Sequence, residues 1–316
     1  MGGRERSALT SSGARRGVLV TGGSGVIGSA VVHRLAAAGY PVWATTTLRP
    51  AADAAGVAWI RWDAVAEPEP IVPWDRIRCI VHLAAPRHPL SETGTTGALY
   101  ATAVAGTRNL LARAEAAGIP RFLYASTGDV LTPNGAAARE DDRTYSAATP
   151  YAAAKAAGEL LTLGHGAPPS SAVVRIFHPY GPGGDRFVVN RMITAITEGR
   201  EITVESPDGI ELNPIWIEDL AEGIVRAVLS DATGVFHLAG PDRIAFGAML
   251  RLMAKLMNRA PRIHIGAPGR PGQHLGNCAR ARAILGFAPR VSLREGLERL
   301  CGHVLDTESS AKGVLP

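Results

Sequence analysis

Cysteine is scarce in this 316-residue sequence: Cys79, Cys278 and Cys301 are the only three, and they form neither a CxxC motif nor a Cys/His cluster. An odd number of widely spaced cysteines indicates reduced thiols, which are typical of a cytoplasmic protein. We therefore expect no structural disulfide, no cysteine nucleophile and no metal site. The sequence also lacks an uninterrupted apolar run of about 20 residues, which argues against a membrane span.

Charged residues are also few, at 19%, whereas 46% of the residues are hydrophobic, and this balance excludes wholesale disorder. The net charge of +5 is concentrated at the N-terminus, because the first sixteen residues hold four arginines and one glutamate. We interpret residues 1–14 as a flexible polar tail. Since no RNA- or DNA-binding motif accompanies it, we expect no nucleic-acid partner.

Short apolar runs alternate with helical patterns through the first half of the chain. The runs lie at 17–21, 42–46, 57–62, 79–83 and 121–125, and apolar residues recur at helical spacing over 29–38 and 99–117. Strands that alternate with helices predict right-handed βαβ crossovers. The sequence therefore predicts an α/β fold with a Rossmann-like doubly wound parallel sheet.

A glycine-rich turn, TGGSGVIGS (21–29), lies between the first predicted strand and the first predicted helix. Gly22, Gly25 and Gly28 have GxxGxxG spacing, and Val26 and Ile27 begin the helix. Glycines let the backbone approach a pyrophosphate, whose charge then faces the free N–H groups of the helix N-terminus. This context favours a dinucleotide site over a glycine-rich loop without a ligand.

Three further motifs follow this turn in order: VHLAA (81–85), YASTGDV (124–130) and YAAAK (151–155). Together the four resemble the extended short-chain dehydrogenase/reductase family, in its NAD-dependent epimerase/dehydratase branch, and the resemblance runs on to LGFAP (285–289). It implies an NAD(P)-binding domain over 15–170 and a mostly substrate-binding lobe over 171–316. Segments near 172–178 and 235–239 would return to the sheet, and a homodimer would form through a helix bundle that includes YAAAK.

The end of the second predicted strand bears on the choice of cofactor. An acid there would bind the adenosine ribose and favour NAD, but the chain has ATTTLRP over 44–50. Arg49 and the hydroxyls of 45–47 are instead suited to a 2′-phosphate, unless Arg49 is merely a solvated loop charge. We therefore expect NADP or NAD, with NADP slightly favoured.

The resemblance implies further cofactor contacts. Asp63 matches the position that binds the adenine amino group, and Ser126 also lies beside the cofactor. The small apolar wall is matched by Leu83, Ala84 and Ala85. The family asparagine in the helix motif NVxGT is replaced by Ala103, so one hydrogen bond of the family is expected to be missing.

The YAAAK motif supplies the predicted catalytic pair. Tyr151 and Lys155 are four residues apart, so they lie on one face of a helix, and a nearby ammonium lowers the pKa of a phenol. The resemblance assigns proton transfer to Tyr151, ribose binding to Lys155 and polarisation of the reacting oxygen to Thr127. Tyr151 would thus contact both substrate and cofactor, Thr127 the substrate and Lys155 the cofactor, and Ser126 is a weaker substitute for Thr127.

The residues after Thr127 limit which reactions of the family this chain is expected to catalyse. Sugar 4,6-dehydratases of the family carry Asp-Glu there, whereas this chain has Gly128 and Asp129. One carboxylate disfavours standard 4,6-dehydration, although Asp129 remains a candidate base or, alternatively, a turn cap. Epimerisation or reduction at C4 needs only the threonine, the tyrosine and the lysine.

The substrate-binding positions depart from the family pattern. His178 stands where an asparagine usually contacts the substrate phosphates or cofactor, and it either binds a phosphate, acts as an acid/base group or is a hydrogen-bonded pocket histidine. Many relatives bind the diphosphate with an arginine at the position of Asn213. Arg87, Arg270 and Arg191 are the remaining candidates for that charge, although Arg191 is better explained as a surface charge. The sequence therefore favours a 4-epimerase or 4-ketoreductase of a nucleotide-linked sugar. The alternatives are a reductase or dehydrogenase of a non-nucleotide ketone or alcohol and, disfavoured by the intact Tyr/Lys pair, a non-catalytic cofactor sensor.

Overall fold

A seven-stranded parallel sheet forms the centre of the protein in a computed structural model. The structure describes residues 16–47, 55–65, 72–86, 95–132, 136–142, 145–146, 148–266 and 273–312. The strand order is β11-β6-β5-β4-β1-β2-β3. Strands are added on one side of β1 up to β3 and on its other side from β4 onward, as in a doubly wound sheet. The predicted Rossmann-like α/β fold is confirmed.

The sheet strands match the apolar runs of the sequence closely. They are β1 (Gly17–Thr21), β2 (Val42–Thr46), β3 (Val57–Arg61), β4 (Ile77–His82), β5 (Arg121–Thr127), β6 (Ser170–Ile176) and β11 (Gly234–Leu238). Every residue of β1 and β5 is buried, because helices cover both faces of the sheet. β6 and β11 come from the second half of the chain, and the division into two domains remains a prediction.

The helices are α1 (Val26–Ala37), α2 (Thr95–Tyr100), α3 (Thr107–Ala116), α4 (Pro150–Gly164), α5 (Val188–Thr197), α6 (Ile217–Leu229), α7 (Phe246–Met257), α8 (Ala279–Leu285) and α9 (Leu293–Lys312). A π-helical segment, Ala101–Gly106, joins α2 to α3, so the single helix expected over 99–117 is three consecutive helical segments. Short 3₁₀ turns lie at Trp74–Arg76 and Gly128–Val130. No helix within the described ranges has the length and apolar content to cross a bilayer.

Short strands build the second lobe. They are β7 (Pro179–Tyr180), β8 (Glu201–Val204), β9 (Glu211–Leu212), β10 (Ile215–Trp216), β12 (Ile244–Ala245), β13 (Arg262–Ile265) and β14 (Gln273–His274). They pair as β10-β7, β12-β9-β14 and β13-β8. Because β14 is placed by β9, residues 273–274 come close to the carboxyl ends of β5 and β6.

A buried ion pair fixes α4 on the sheet. Arg175, on β6, binds Glu159 with two parallel bonds, Nε to Oε1 at 2.9 Å and Nη2 to Oε2 at 2.8 Å, and both side chains are fully buried. Gly158 allows close approach, since a Cβ there would lie 2.2 Å from the Tyr124 hydroxyl on β5. α4 therefore has little freedom to slide along the sheet.

Breaking this ion pair should destabilise the protein strongly. Glu159→Gln leaves the Arg175 guanidinium buried without a counter-charge, which costs about 3–5 kcal/mol. We expect urea denaturation to show a loss of this size in the free energy of unfolding. Glu298→Gln is the matched control, because its pair with Arg294 is half exposed and such pairs contribute about 0.3–0.5 kcal/mol. Equal losses for both variants would contradict the assigned role of Glu159.

Candidate active site

The glycine turn lies at the switch point between β1 and β4. Gly22 has φ of +70°, and a Cβ there would lie 2.7 Å from the Cα of Ala84. A Cβ on Gly28 would lie 2.1 Å from the carbonyl oxygen of Gly22. Gly25 is the N-cap of α1 and has no side chain that could accept a hydrogen bond from the first turn. The N–H groups of Val26 and Ile27 at the start of the helix are therefore not capped by a side chain. This cradle fits the pyrophosphate of a dinucleotide.

The apolar wall borders the same site. Ala84 and Ala85 line a pocket that Tyr151 and Lys155 close from the other side, together with Pro86, Leu99, Thr102, Ala103 and Ala154. Leu83 is half buried and packs on the main core. Ala103 thus lies in the pocket wall at the place where the sequence lacks the family asparagine.

The end of β2 carries hydroxyls and no acid. Thr45 and Thr46 are buried, and the Thr46 hydroxyl lies 2.7 Å from the Ser24 hydroxyl of the glycine turn. Thr47 is exposed, as is Asp63, whose Oδ1 accepts a bond from the Val65 amide at 3.0 Å. Arg49, the predicted ligand of a 2′-phosphate, lies outside the described residues.

The predicted catalytic pair projects from the first two turns of α4. Thr149 caps this helix by accepting a bond from the Ala152 amide, and Pro150 occupies its first turn. The Lys155 ammonium donates to the Ala125 carbonyl at 2.9 Å and lies 5.0 Å from the Tyr124 ring centre. Burial lowers the pKa of Lys155 to about 8, an effect that the Glu159 carboxylate opposes.

The surroundings of Tyr151 raise its pKa overall. Burial is the largest cause and the Asp129 carboxylate adds to it, while a hydrogen bond with the Thr127 side chain opposes both. Lys155 is not among these causes, and its effect on the phenol stays a prediction. Tyr151 is held as a neutral phenol.

Thr127 ends β5 and connects the phenol to a carboxylate. Its hydroxyl donates to Asp129 Oδ2 at 3.1 Å and accepts from the Asp129 amide at 3.2 Å. Asp129 is thus both part of a turn cap and a half-exposed carboxylate beside Tyr151. Ser126 is buried, and its hydroxyl has no hydrogen-bond partner among the described residues.

A phenylalanine explains why position 128 is glycine. Phe177 follows β6, and a Cβ on Gly128 would lie 2.5 Å from one edge of its ring. A Cβ on Gly276 would lie 2.6 Å from the other edge. The ring is therefore held between two glycines, and no larger side chain fits at position 128 without moving it.

Sequence reasoning identified His178 but missed His274. His178 Nε2 lies 2.6 Å from His274 Nδ1, and His274 Nε2 lies 3.4 Å from Asp129 Oδ1. Burial, reinforced by His274, lowers the pKa of His178 to about 3. A histidine just after the Arg270 motif was the available signal, but its distance in sequence from His178 concealed the contact.

The position where many relatives carry a diphosphate-binding arginine holds an asparagine that bonds to the backbone. The Asn213 side chain donates to the Gly276 carbonyl at 2.9 Å and accepts from its amide at 3.1 Å, so it clamps one chain segment to another. Arg87 and Arg270 lie outside the described residues. In the part of the chain that the structure describes, no three His, Cys, Asp or Glu side chains are arranged to hold a metal ion.

Comparison with known proteins gives consistent results. The profile of the NAD dependent epimerase/dehydratase family matches residues 18–239. UDP-glucuronic acid decarboxylase 5 of Arabidopsis thaliana is 27% identical over 89% of this chain and 86% of its own, and dTDP-glucose 4,6-dehydratase of Streptomyces niveus is 26% identical over 89% and 90%.

Solved structures agree in fold. MoeE5, in complex with UDP-glucuronic acid and NAD, has a TM-score of 0.78 at 25% identity and covers 92% of this chain and 99% of its own. UDP-glucuronic acid 4-epimerase of Bacillus cereus, also solved with UDP-glucuronic acid and NAD, has the same TM-score and coverage at 22% identity. With the glycine cradle and the Tyr/Lys pair in place, the chain is an enzyme of the NAD-dependent epimerase/dehydratase family.

Proposed function

We propose that the protein is an NAD(P)-dependent oxidoreductase that acts at C4 of a nucleotide-linked sugar, as a 4-epimerase or a 4-ketoreductase. The observation that carries the proposal is the convergence of Tyr151, Lys155 and Thr127 beside the glycine cradle. The relatives act on UDP-glucuronic acid and dTDP-glucose, which supports a nucleotide sugar as the substrate.

Each residue has a defined task in hydride transfer. The nicotinamide cofactor, when bound, donates or accepts the hydride. Tyr151 gives a proton to the substrate oxygen or takes one from it, and Thr127 holds the same oxygen. Lys155, about half protonated near pH 8 because its pKa is about 8, binds the nicotinamide ribose. Together they stabilise the charge that develops on the reacting oxygen.

The residues around Tyr151 favour reduction. Burial and the Asp129 carboxylate keep the phenol protonated, and a phenol that carries its proton is ready to serve as a general acid toward an alkoxide. Standard 4,6-dehydration, which expels the C6 hydroxyl, is disfavoured, because Phe177 occupies the space that a second carboxylate at position 128 needs. Among the reactions considered, 4-ketoreduction fits these residues best.

A specific observation favours a second candidate, reduction of a small ketone that carries no nucleotide. Asn213 is engaged by Gly276 and is uncharged, so it gives a diphosphate no countercharge. A substrate without a diphosphate needs no such charge from Arg87 or Arg270.

We also propose a homodimer formed through α4 and the neighbouring α2. Leu160 on α4 is 56% exposed and Tyr100 on α2 is 40% exposed. Exposed apolar side chains on adjacent helices are suited to a helix bundle between two copies.

The substrate class is tested with a panel of nucleotide-4-ketosugars, each incubated with NADPH or NADH. We expect cofactor oxidation, followed at 340 nm, and a 4-hydroxy product identified by NMR. The control series contains ketones of similar size without a nucleotide. Turnover confined to that series would replace the nucleotide-sugar proposal with the second candidate, and no turnover in either series would contradict 4-ketoreduction.

Replacing the phenol should slow the reaction strongly without weakening the binding of the cofactor. Tyr151→Phe removes the acid, and general acid catalysis contributes about 10²–10⁴-fold to a rate. We expect kcat to fall within that range while the Kd for NADPH, measured by fluorescence, stays within about twofold. Tyr40→Phe, between α1 and β2 and outside the pocket lining, is the control and should retain full activity. Undiminished turnover by Tyr151→Phe would refute the catalytic assignment.

The acid-free end of β2 should favour NADPH slightly over NADH. Thr46→Asp places a carboxylate beside the glycine turn, where it repels a 2′-phosphate and binds ribose hydroxyls. We expect the ratio of the two Kd values to shift toward NADH by about tenfold, or about 1.4 kcal/mol. Thr46→Asn has nearly the same shape without the charge and should shift the ratio much less. A wild-type chain that prefers NADH would overturn the NADP proposal.

A further inference from the structure

His82, in the VHLAA motif, is a buried histidine that the proposed chemistry does not use. It ends β4, and the register of the sheet places it between Thr21 at the end of β1 and Tyr124 on β5. Residues in register on parallel strands project from the same face of the sheet. The three side chains therefore form a row at the carboxyl edge, where His82 is only 1% exposed.

Both ring nitrogens of His82 have hydrogen-bond partners. Nε2 lies 3.3 Å from the Thr102 carbonyl oxygen, and Nδ1 lies 2.7 Å from the Thr21 hydroxyl. Burial, reinforced by the Lys155 ammonium, lowers the pKa of His82 to about 3, so the ring is neutral. A carbonyl only accepts, so Nε2 carries the proton and Nδ1 accepts from Thr21. The two partners therefore fix a single tautomer.

These bonds connect His82 to two parts of the pocket that Tyr151 and Lys155 line. Thr102 lies in the π-helical segment Ala101–Gly106 and is part of the pocket lining. Ala84, in the same lining, donates its amide to the Thr21 hydroxyl at 3.4 Å. Thr21 is also the first residue of the glycine turn. One imidazole thus links the glycine turn to the π-helical side of the pocket.

The π-helical wall of the pocket, Thr102 and Ala103, is held by side chains at two successive carbonyls. His82 binds the Thr102 carbonyl, and the Thr107 hydroxyl donates to the Ala103 carbonyl at 2.7 Å. Single π-helical turns are rare and are frequently found at functional sites. Ala103 has no polar side chain in the place of the family asparagine. The position of this wall therefore depends on the groups that hold its backbone.

Lys155 reaches the same row of side chains from α4. Its ammonium lies 5.0 Å from the Tyr124 ring centre, and the His82 ring centre lies 5.7 Å from that of Tyr124. A charged group at position 82 would repel the ammonium or compete for it, whereas a neutral donor does neither. The neutral imidazole therefore holds the π-helical wall without disturbing the bond from Lys155 to the Ala125 carbonyl.

We propose that His82 is a positioning residue, which sets the π-helical wall relative to Tyr151 and Lys155 so that the nicotinamide half of the cofactor fits between them. The inference rests on the part of the proposed function that assigns the nicotinamide ribose to Lys155. The bond from Nε2 to Thr102 has the positioning role, and the bond from Thr21 fixes the tautomer that this role requires.

Two amide variants separate the two bonds of His82. In His82→Gln the amide nitrogen reaches the place of Nε2 and donates to Thr102, whereas the shorter side chain of His82→Asn reaches only the place of Nδ1 and bonds to Thr21. Each variant is titrated with NADH or NADPH, whichever the wild type binds more tightly. Each is also titrated with ADP, which contains adenosine and a pyrophosphate but no nicotinamide.

We expect His82→Asn to raise the Kd for the cofactor at least about fivefold, because the wall loses a buried donor. The Kd for ADP should change less than about twofold, and His82→Gln should keep both values within about twofold of wild type. A role in stability alone would affect both ligands equally. Equal losses for cofactor and ADP, an unchanged cofactor Kd in His82→Asn, or an equal loss in His82→Gln would overturn the proposal.

His237→Asn is the matched control for the loss of a buried imidazole. His237 is fully buried and packs on the Phe177 ring at 5.0 Å, but it is not part of the pocket lining. The ratio of the Kd values for cofactor and ADP should stay within about twofold of wild type. A change in this ratio as large as in His82→Asn would contradict a specific role for His82.

A further measurement uses the wild-type protein and so does not depend on the folding of a variant. Ring ¹⁵N shifts should place the His82 proton on Nε2 alone from about pH 5 to about pH 8. A proton on Nδ1, or an imidazolium in this range, would overturn the assigned bonds. Failure to reduce any ketosugar would contradict the proposed reaction only, because the Kd ratios and the ring shifts require no turnover.

Discussion

The ion pair between Glu159 and Arg175 is the interaction on which the site depends most. Glu159 lies one helical turn after Lys155, which lies one turn after Tyr151, so the three share the face of α4 that meets the sheet. Arg175 is paired in register with Ser126, the residue before Thr127. One buried bidentate contact therefore sets the helix that carries the phenol relative to the strand that carries the threonine.

A second constraint acts from the opposite side of the site. Phe177 continues the strand that holds Arg175, and its ring needs glycine at both 128 and 276. The same packing that excludes a carboxylate at position 128 brings Asp129 and His274 together. The chain thus has one carboxylate where a dehydratase has two acidic residues, and this carboxylate lies 3.4 Å from His274. One aromatic ring therefore packs against both the glycine before this carboxylate and the ring of His274.

The sequence was sufficient for features that are local or set by chain order. The glycine turn, the order of strands and the spacing of Tyr151 and Lys155 depend on short segments. In the structure the pair lines a pocket whose wall residue Ala84 packs against Gly22 of the turn. Contacts between distant segments were not predicted. The approach of His274 to His178 depends on the pairing of β14 with β9. The sequence between these two strands has no pattern that predicts this pairing. The contact of the Lys155 ammonium with the Ala125 carbonyl also joins distant residues, and the spacing of Tyr151 and Lys155 does not predict it.

The electrostatics of the site follow from this difference. A lysine ammonium directed at the phenol would favour the phenolate and so a base, which suits oxidation of an alcohol. Here burial raises the pKa of Tyr151, the charge of the Asp129 carboxylate raises it further, and the hydrogen bond with Thr127 opposes both. The same carboxylate accepts the hydrogen bond of the Thr127 hydroxyl and lies 3.4 Å from His274. The anion that orients Thr127 therefore also favours the protonated phenol, and both properties suit an enzyme that reduces its substrate.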